Sequence, residues 1–195
     1  MFFFIRLFFL LSFLHLILTH SPPFMQPLCH DDECSALLQF KESFVINKSA
    51  SPLLFLNKSA SPYHPLACEK VASWTLEGDK SDCCSWDGVE CDEDTGHVIG
   101  LDISSSCLFG SINSNSSLFR LGHLQRLNLA YNNFNYSPIP PQVRNLSRLT
   151  YLNLNASMFS GQIPFEISQS SHMTSLHLTS YYDFYSGKHL LELKN

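Results

Sequence analysis

Leu124-Gln125-Arg126-Leu127-Asn128-Leu129 is the stretch on which the reading of this chain turns. The same phrase precedes it as Val98-Ile99-Gly100-Leu101-Asp102-Ile103. It returns as Leu149-Thr150-Tyr151-Leu152-Asn153-Leu154 and again as Met173-Thr174-Ser175-Leu176-His177-Leu178, at a period of about 24 or 25 residues. Within each phrase the apolar residues alternate with polar ones, which is strand periodicity. Leu101, Ile103, Leu127, Leu129, Leu152, Leu154, Leu176 and Leu178 are expected to point inward. Asp102, Arg126, Asn128, Tyr151, Asn153, Asn155, Ser175 and His177 are expected to point outward.

An L-x-x-L-x-L phrase at this period predicts a leucine-rich repeat solenoid, with one short parallel strand per unit lining a concave wall. The expected fold class is therefore an α/β solenoid of leucine-rich repeats, with a disulfide-stapled N-terminal cap and a short parallel sheet on the concave face. Asn132 falls at the turn after the strand, where a buried amide satisfies backbone groups. Ser106 and Ser157 hold the equivalent positions, and Tyr181 breaks the rule in the fourth unit. Outside the strands, Leu108-Phe109-Gly110-Ser111-Ile112 and Phe159-Ser160-Gly161-Gln162-Ile163-Pro164 form the convex side. The expected boundaries are a signal peptide over 1–21, a cap over 22–96 carrying an inserted loop at 47–66, and about four repeats over 97–195, the last incomplete.

The chain has 195 residues, 45% of them hydrophobic and 15% charged, with a formal net charge of -5. That suits one domain and argues against nucleic-acid binding, which favours a basic face. Met1 to Leu18 is almost wholly apolar with Arg6 as its one charged residue, and Thr19-His20-Ser21-Pro22-Pro23 follows. This reads as a secretory signal peptide. No second apolar run near the ~20 residues of a membrane helix follows, so no span is expected beyond it.

Secretion makes disulfides the default for the seven cysteines, and the odd count leaves at least one thiol over. Cys84 and Cys91 are placed to staple a small hairpin. Six Asn-x-Ser acceptors, at Asn47, Asn57, Asn115, Asn135, Asn145 and Asn155, point to a glycoprotein. Asn47-Lys48-Ser49-Ala50-Ser51-Pro52 recurs as Asn57-Lys58-Ser59-Ala60-Ser61-Pro62, a duplication that reads as an exposed loop. Before it, Leu37, Phe40, Lys41 and Phe44 follow helical spacing, with Asp31 or Asp32 as the expected N-cap.

Asp82-Cys83-Cys84-Ser85-Trp86-Asp87-Gly88-Val89-Glu90-Cys91-Asp92 and Phe159-Ser160-Gly161-Gln162-Ile163-Pro164 resemble the cap and L-x-G-x-I-P signatures of plant extracellular leucine-rich repeat proteins. Thr95-Gly96-His97-Val98-Ile99 and Asn115-Ser116-Ser117-Leu118-Phe119 narrow the resemblance to receptor-like proteins of the disease-resistance type. The resemblance implies a cell-surface receptor with many repeats, one membrane helix and a short tail, which senses a peptide or protein ligand and signals through a partner receptor kinase. It also implies that Cys84 pairs with Cys91 and Cys83 with Cys29. Cys34 and Cys68 then remain as a candidate further pair, and Cys107 as the spare.

About four units and no span depart from that pattern, as in a fragment, a truncated product or a short secreted relative. The alternative is a free binder resembling the polygalacturonase-inhibiting proteins, against which stands the absence of any cysteine after Cys107. Catalysis finds no motif: no G-x-S-x-G elbow occurs, and the cysteine spacing is wrong for a zinc knuckle. No cofactor or metal is expected. The nine histidines read as scattered, and only His177 stands out as a binding candidate. The expected ligand-binding set on the concave face is Arg126, Asn128, Tyr151, Asn153 and His177.

Overall fold

In the computed structural model the described residues are 28–47, 68, 70–77, 81–179 and 182, 183, 188, 189, 191 and 192. The signal-peptide segment, nearly all of the duplicated loop with Asn57, and Tyr181 lie outside them.

Helix α1 spans Asp31–Glu42 and buries Glu33, Cys34, Ala36, Leu37 and Phe40 on one face. The helix begins one residue earlier than its acidic residues suggest. His30, in extended backbone, is the N-cap, and its carbonyl accepts from Glu33 and Cys34. Asp31 and Asp32 occupy the first turn instead of the cap position, where their charge meets the positive end of the helix dipole. Lys41 Nζ donates to the Trp74 carbonyl at 2.9 Å and ties the helix to the rest of the cap. Strand β1 (Val45–Ile46) follows.

The cap core is a pair of stacked indoles. Trp74 and Trp86 are both buried, with ring centroids 5.5 Å apart, and Trp74 Nε1 donates to the Asp87 carbonyl. Strand β2 (Val89–Cys91) pairs antiparallel with β3 (Val98–Asp102), so the cap closes onto the first repeat as a hairpin. Gly88 makes this closure fit. Its φ is +82°, and a Cβ there would stand 2.1 Å from the Asp102 carbonyl oxygen, so a side chain has neither the conformation nor the room. Strand β4 (Leu108–Phe109) pairs antiparallel with β1 on the outer side.

From β3 onward the sheet is parallel: β5 (Arg126–Asn128), β6 (Tyr151–Asn153) and β8 (Ser175–His177) follow in register, giving the order β2-β3-β5-β6-β8. Leu101, Ile103, Leu127, Leu129, Leu152 and Leu154 are all buried, as the alternation predicts. The fourth unit differs. Leu176 is 41% exposed, against 1% for Leu152 at the matching register position, and Leu178 is only partly buried. Beyond β8 no further strand of this sheet lies among the described residues to cover its inward face.

Asn132 is fully buried. Its Oδ1 accepts from Leu108 N–H at 3.1 Å, and its Nδ2 donates to the carbonyls of Ile103 and Leu129. Ser157 repeats half of this, its hydroxyl shared between the carbonyls of Leu129 and Asn155, whereas the buried Ser106 Oγ makes no hydrogen bond. On the outer side Phe44 meets Phe134 edge-to-face and Phe134 stacks on Phe159, with centroids 5.6 and 4.7 Å apart. Strand β7 (Gly161–Gln162), helix α2 (Phe165–Ser168) and strand β11 (Leu191–Glu192), which pairs parallel with β7, complete this side. Strands β9 (Tyr182–Asp183) and β10 (Lys188–His189) pair with each other as a hairpin.

Three disulfides bind the cap: Cys29–Cys83, Cys84–Cys91 and Cys68–Cys107. The expected Cys34–Cys68 pairing is therefore corrected. Cys68 reaches the outer turn of the first repeat at Cys107, with the two Cα atoms 5.0 Å apart, which is within bridging range. Cys34 faces inward from the first turn of α1 and is the free, buried cysteine. Burial pushes its thiol pKa up.

Candidate functional site: the concave face

Register places the outward residues in two rows across the sheet. One row runs Glu90, Gly100, Arg126, Tyr151, Ser175, and the other Asp102, Asn128, Asn153, His177. Parallel pairing stacks equivalent positions of successive units side by side, so one surface is assembled from residues far apart in sequence. Arg126, Asn128, Tyr151, Asn153 and His177 are all brought onto it, each half-buried except for the exposed His177.

The rows are cross-linked. The Arg126 guanidinium pairs with the Glu90 carboxylate. Gly100 lies beneath that pair, and a Cβ there would come within 2.8 Å of Glu90 Oε2. A larger residue at this position would displace the ion pair. Asn128 Nδ2 donates to Asp102 Oδ2 at 3.1 Å, and Lys70 Nζ donates to Asp102 Oδ1 at 3.1 Å. Burial raises the Asp102 pKa, but the Ser104 hydroxyl, the Ser104 N–H and Lys70 more than reverse this and hold it below the ordinary carboxylate value. The face thus keeps an anionic group at Asp102 beside a cationic one at Arg126.

Farther along, Asn153 Nδ2 donates to the Tyr151 hydroxyl at 3.2 Å. Ser175 Oγ lies 2.9 Å from His177 Nε2, and the Tyr151 and His177 rings are 5.4 Å apart. At the cap end, Val89, Glu90, Asp102, Arg126, Asn128 and Tyr151 line much of a concavity of ≈ 410 Å³.

Glu90 and Lys70 are site residues that sequence reasoning missed. Glu90 was within reach, because strand alternation around the buried-side neighbours Val89 and Cys91 turns it outward. Lys70 carried no signal, since its contact with Asp102 spans 32 residues. Asn155 also lies on this face, half-buried, with Oδ1 accepting from Thr179 Oγ1 at 2.8 Å. Asn47, Asn115, Asn135 and Asn145 are exposed.

A cluster of metal-ligand type, Cys29, Asp82, Cys83 and Cys84, is occupied with structural work. All three sulfurs are in disulfides, and Asp82 Oδ1 accepts from the N–H groups of Cys29 and Cys84. Among the described residues no helix is long and apolar enough to cross a membrane.

Comparison with known proteins gives this face a context. A family described as leucine rich repeat N-terminal domain matches residues 30–92. Receptor-like protein 6 of Arabidopsis thaliana is 46% identical over 159 residues, covering 82% of this chain and 15% of its own length. Receptor-like protein 7 of the same plant is 46% identical over 142 residues, covering 73% of this chain and 12% of its own length. The chain belongs with the plant leucine-rich repeat receptor-like proteins.

It corresponds to the N-terminal portion of such a receptor-like protein and spans less than a fifth of the length of these relatives. The fold has a solved counterpart in the ectodomain of the Arabidopsis receptor kinase HAESA, there in complex with an IDA peptide hormone ligand. The TM-score is 0.57 at 21% identity, covering 84% of this chain and 21% of that one.

Proposed function

We propose that this chain forms the cap and first repeats of the ligand-recognition ectodomain of a plant cell-surface receptor-like protein in defence or developmental signalling. It acts by binding a peptide or protein on its concave face and passes the signal to a partner receptor kinase. The observation that carries this reading is the pair of register rows. Asp102, Glu90, Arg126, Asn128, Tyr151, Asn153 and His177 stand on one open sheet surface, alternating in charge and hydrogen-bonding type. A bound segment meets cationic, anionic, amide and aromatic groups in a fixed order, and such spacing discriminates between side chains.

Five strands at about 4.8 Å spacing reach only ~20 Å, so this region supplies part of a larger contact. Glycans are proposed at Asn47, Asn57, Asn115, Asn135 and Asn145. Asn155 is the acceptor whose glycan would cover the concave face. The secreted chain is the material for the test. Peptides selected from a displayed random library on the wild-type protein are re-measured on an Arg126→Ala/Tyr151→Ala/His177→Ala variant. A loss of tenfold or more in affinity is expected. Recovery of only peptides that bind both proteins equally would overturn the reading.

A further inference from the structure

Three histidines far apart in sequence meet at the joint between the cap and the repeats. His30 stacks on His97 with ring centroids 3.9 Å apart, and His97 stacks on His123 at 3.6 Å, all nearly parallel. They come from three different places: the N-cap of α1, the residue before β3, and the turn before β5. His30 Nε2 lies 3.0 Å from the Thr95 carbonyl and is therefore a donor. His123 Nδ1 lies 3.1 Å from Arg148 Nη1.

A guanidinium only donates, so Nδ1 of His123 must accept, and the neutral ring carries its proton on Nε2. The next proton can enter only at Nδ1, the atom that holds Arg148. Protonation breaks that bond and sets two cations against each other.

The charged and titratable groups around the stack are few among the described residues. Glu33, from the first turn of α1, is 5% exposed, accepts from Val98 N–H at 2.8 Å, and holds Oε1 3.4 Å from His97 Nδ1. Asp92 interacts with His97 from the turn between β2 and β3. Arg148 stands before β6, exposed to solvent. Glu33 supplies a countercharge at the His97 position, whereas His123 has Arg148 on one side and His97 on the other.

We propose that the His30–His97–His123 stack, closed by Arg148 and floored by Glu33, is a proton-operated joint that loosens α1 from the first repeats when His123 is protonated on Nδ1. The charge pattern agrees with the bonding. Burial first, and then the electrostatic effect of His97, Arg148 and His30, lower the His123 pKa, against an opposing pull from Glu33. A histidine whose folded value lies below its unfolded one contributes stability that is complete above about 6.5, the unfolded value. That contribution is lost as pH falls toward the folded value. The joint is therefore closed at neutral pH and opens in mildly acidic surroundings.

The test uses the secreted full chain. Imidazole NMR across pH 8 to 4.5 should show His123 titrating below the ordinary histidine value of about 6.5. The exposed change Arg148→Gln should move that titration upward. Between pH 7.5 and 5.5 the wild type should lose about 2–4 °C more in Tm than His123→Gln, whose amide accepts from Arg148 without titrating. Exchange of the Val98 amide, which is bonded to Glu33, should accelerate relative to the Leu129 amide of the sheet. His123 titrating at or above about 6.5, or a Val98-to-Leu129 exchange ratio that does not change with pH, overturns the proposal. If His123→Gln does not fold, the wild-type and Arg148→Gln titrations decide it.

Discussion

Asn132 carries the turn of the second repeat with a single side chain that accepts from Leu108 N–H and donates to the carbonyls of Ile103, Leu129 and Ala130. Replacing it with Ala strands those groups away from water and should cost about 2–4 kcal/mol. Asp cannot donate to Ile103 and Leu129 and should be no better. Urea denaturation checks this through the midpoint at unchanged slope, and a loss under ~0.5 kcal/mol, the scale of a neutral surface change, would mean that the turn does not depend on this amide. The role of Asn132 was legible because its distance from the strand is fixed within one unit. The histidine stack was not. His30, His97 and His123 lie in separate elements, and only the docking of α1 against the repeats brings them together. Glu33 carried no signal for the same reason: it is buried because the hairpin folds over it and Val98 N–H donates to its carboxylate.

At the scale of elements, α1 was legible from its apolar spacing, although its first residue was not, because three consecutive acids offer several cap positions. Strands β1 and β4 are two residues each, too short to leave any periodicity. Cysteine pairing was legible only where the cap motif supplies it. Seven cysteines admit many connectivities, and nothing in their spacing says that the outer turn of the first repeat swings Cys107 onto Cys68. Non-reducing peptide mapping of the secreted chain should recover Cys29–Cys83, Cys68–Cys107 and Cys84–Cys91. Cys34 should be the one thiol, unreactive toward alkylation at neutral pH until the protein is unfolded, because burial raises its pKa. Removing Cys68 and Cys107 together should cost about 2–5 kcal/mol. A native fragment linking Cys34 to Cys68 would reverse the assignment.

Over the whole molecule the repeat period made the parallel sheet and its concave rows readable, since each unit repeats the same inward and outward positions. The period did not reveal that the units are unequal in burial. Leu176 sits in the same phrase as Leu152, but an inward leucine is buried only when the next unit lies over it. Here it is 41% exposed, and Phe165 on α2 is 69% exposed. Among the described residues strand β8 is the outermost strand of its sheet, and an edge strand is a template for pairing with another chain. In proteins several times longer, as the relatives are, further stacked units are the proposed cover for this face. Without them, a second copy of the chain is the nearest source of apolar surface. The secreted chain should therefore self-associate in analytical ultracentrifugation, and a Phe165→Glu/Leu176→Glu variant should sediment as a monomer. The double variant should remain folded, because both side chains already meet solvent. Leu152→Glu, which places a charge in the packed interior, should unfold the protein. A monodisperse wild-type monomer, or a double variant that associates as strongly as the wild type, would show that the fourth unit is covered from within the chain.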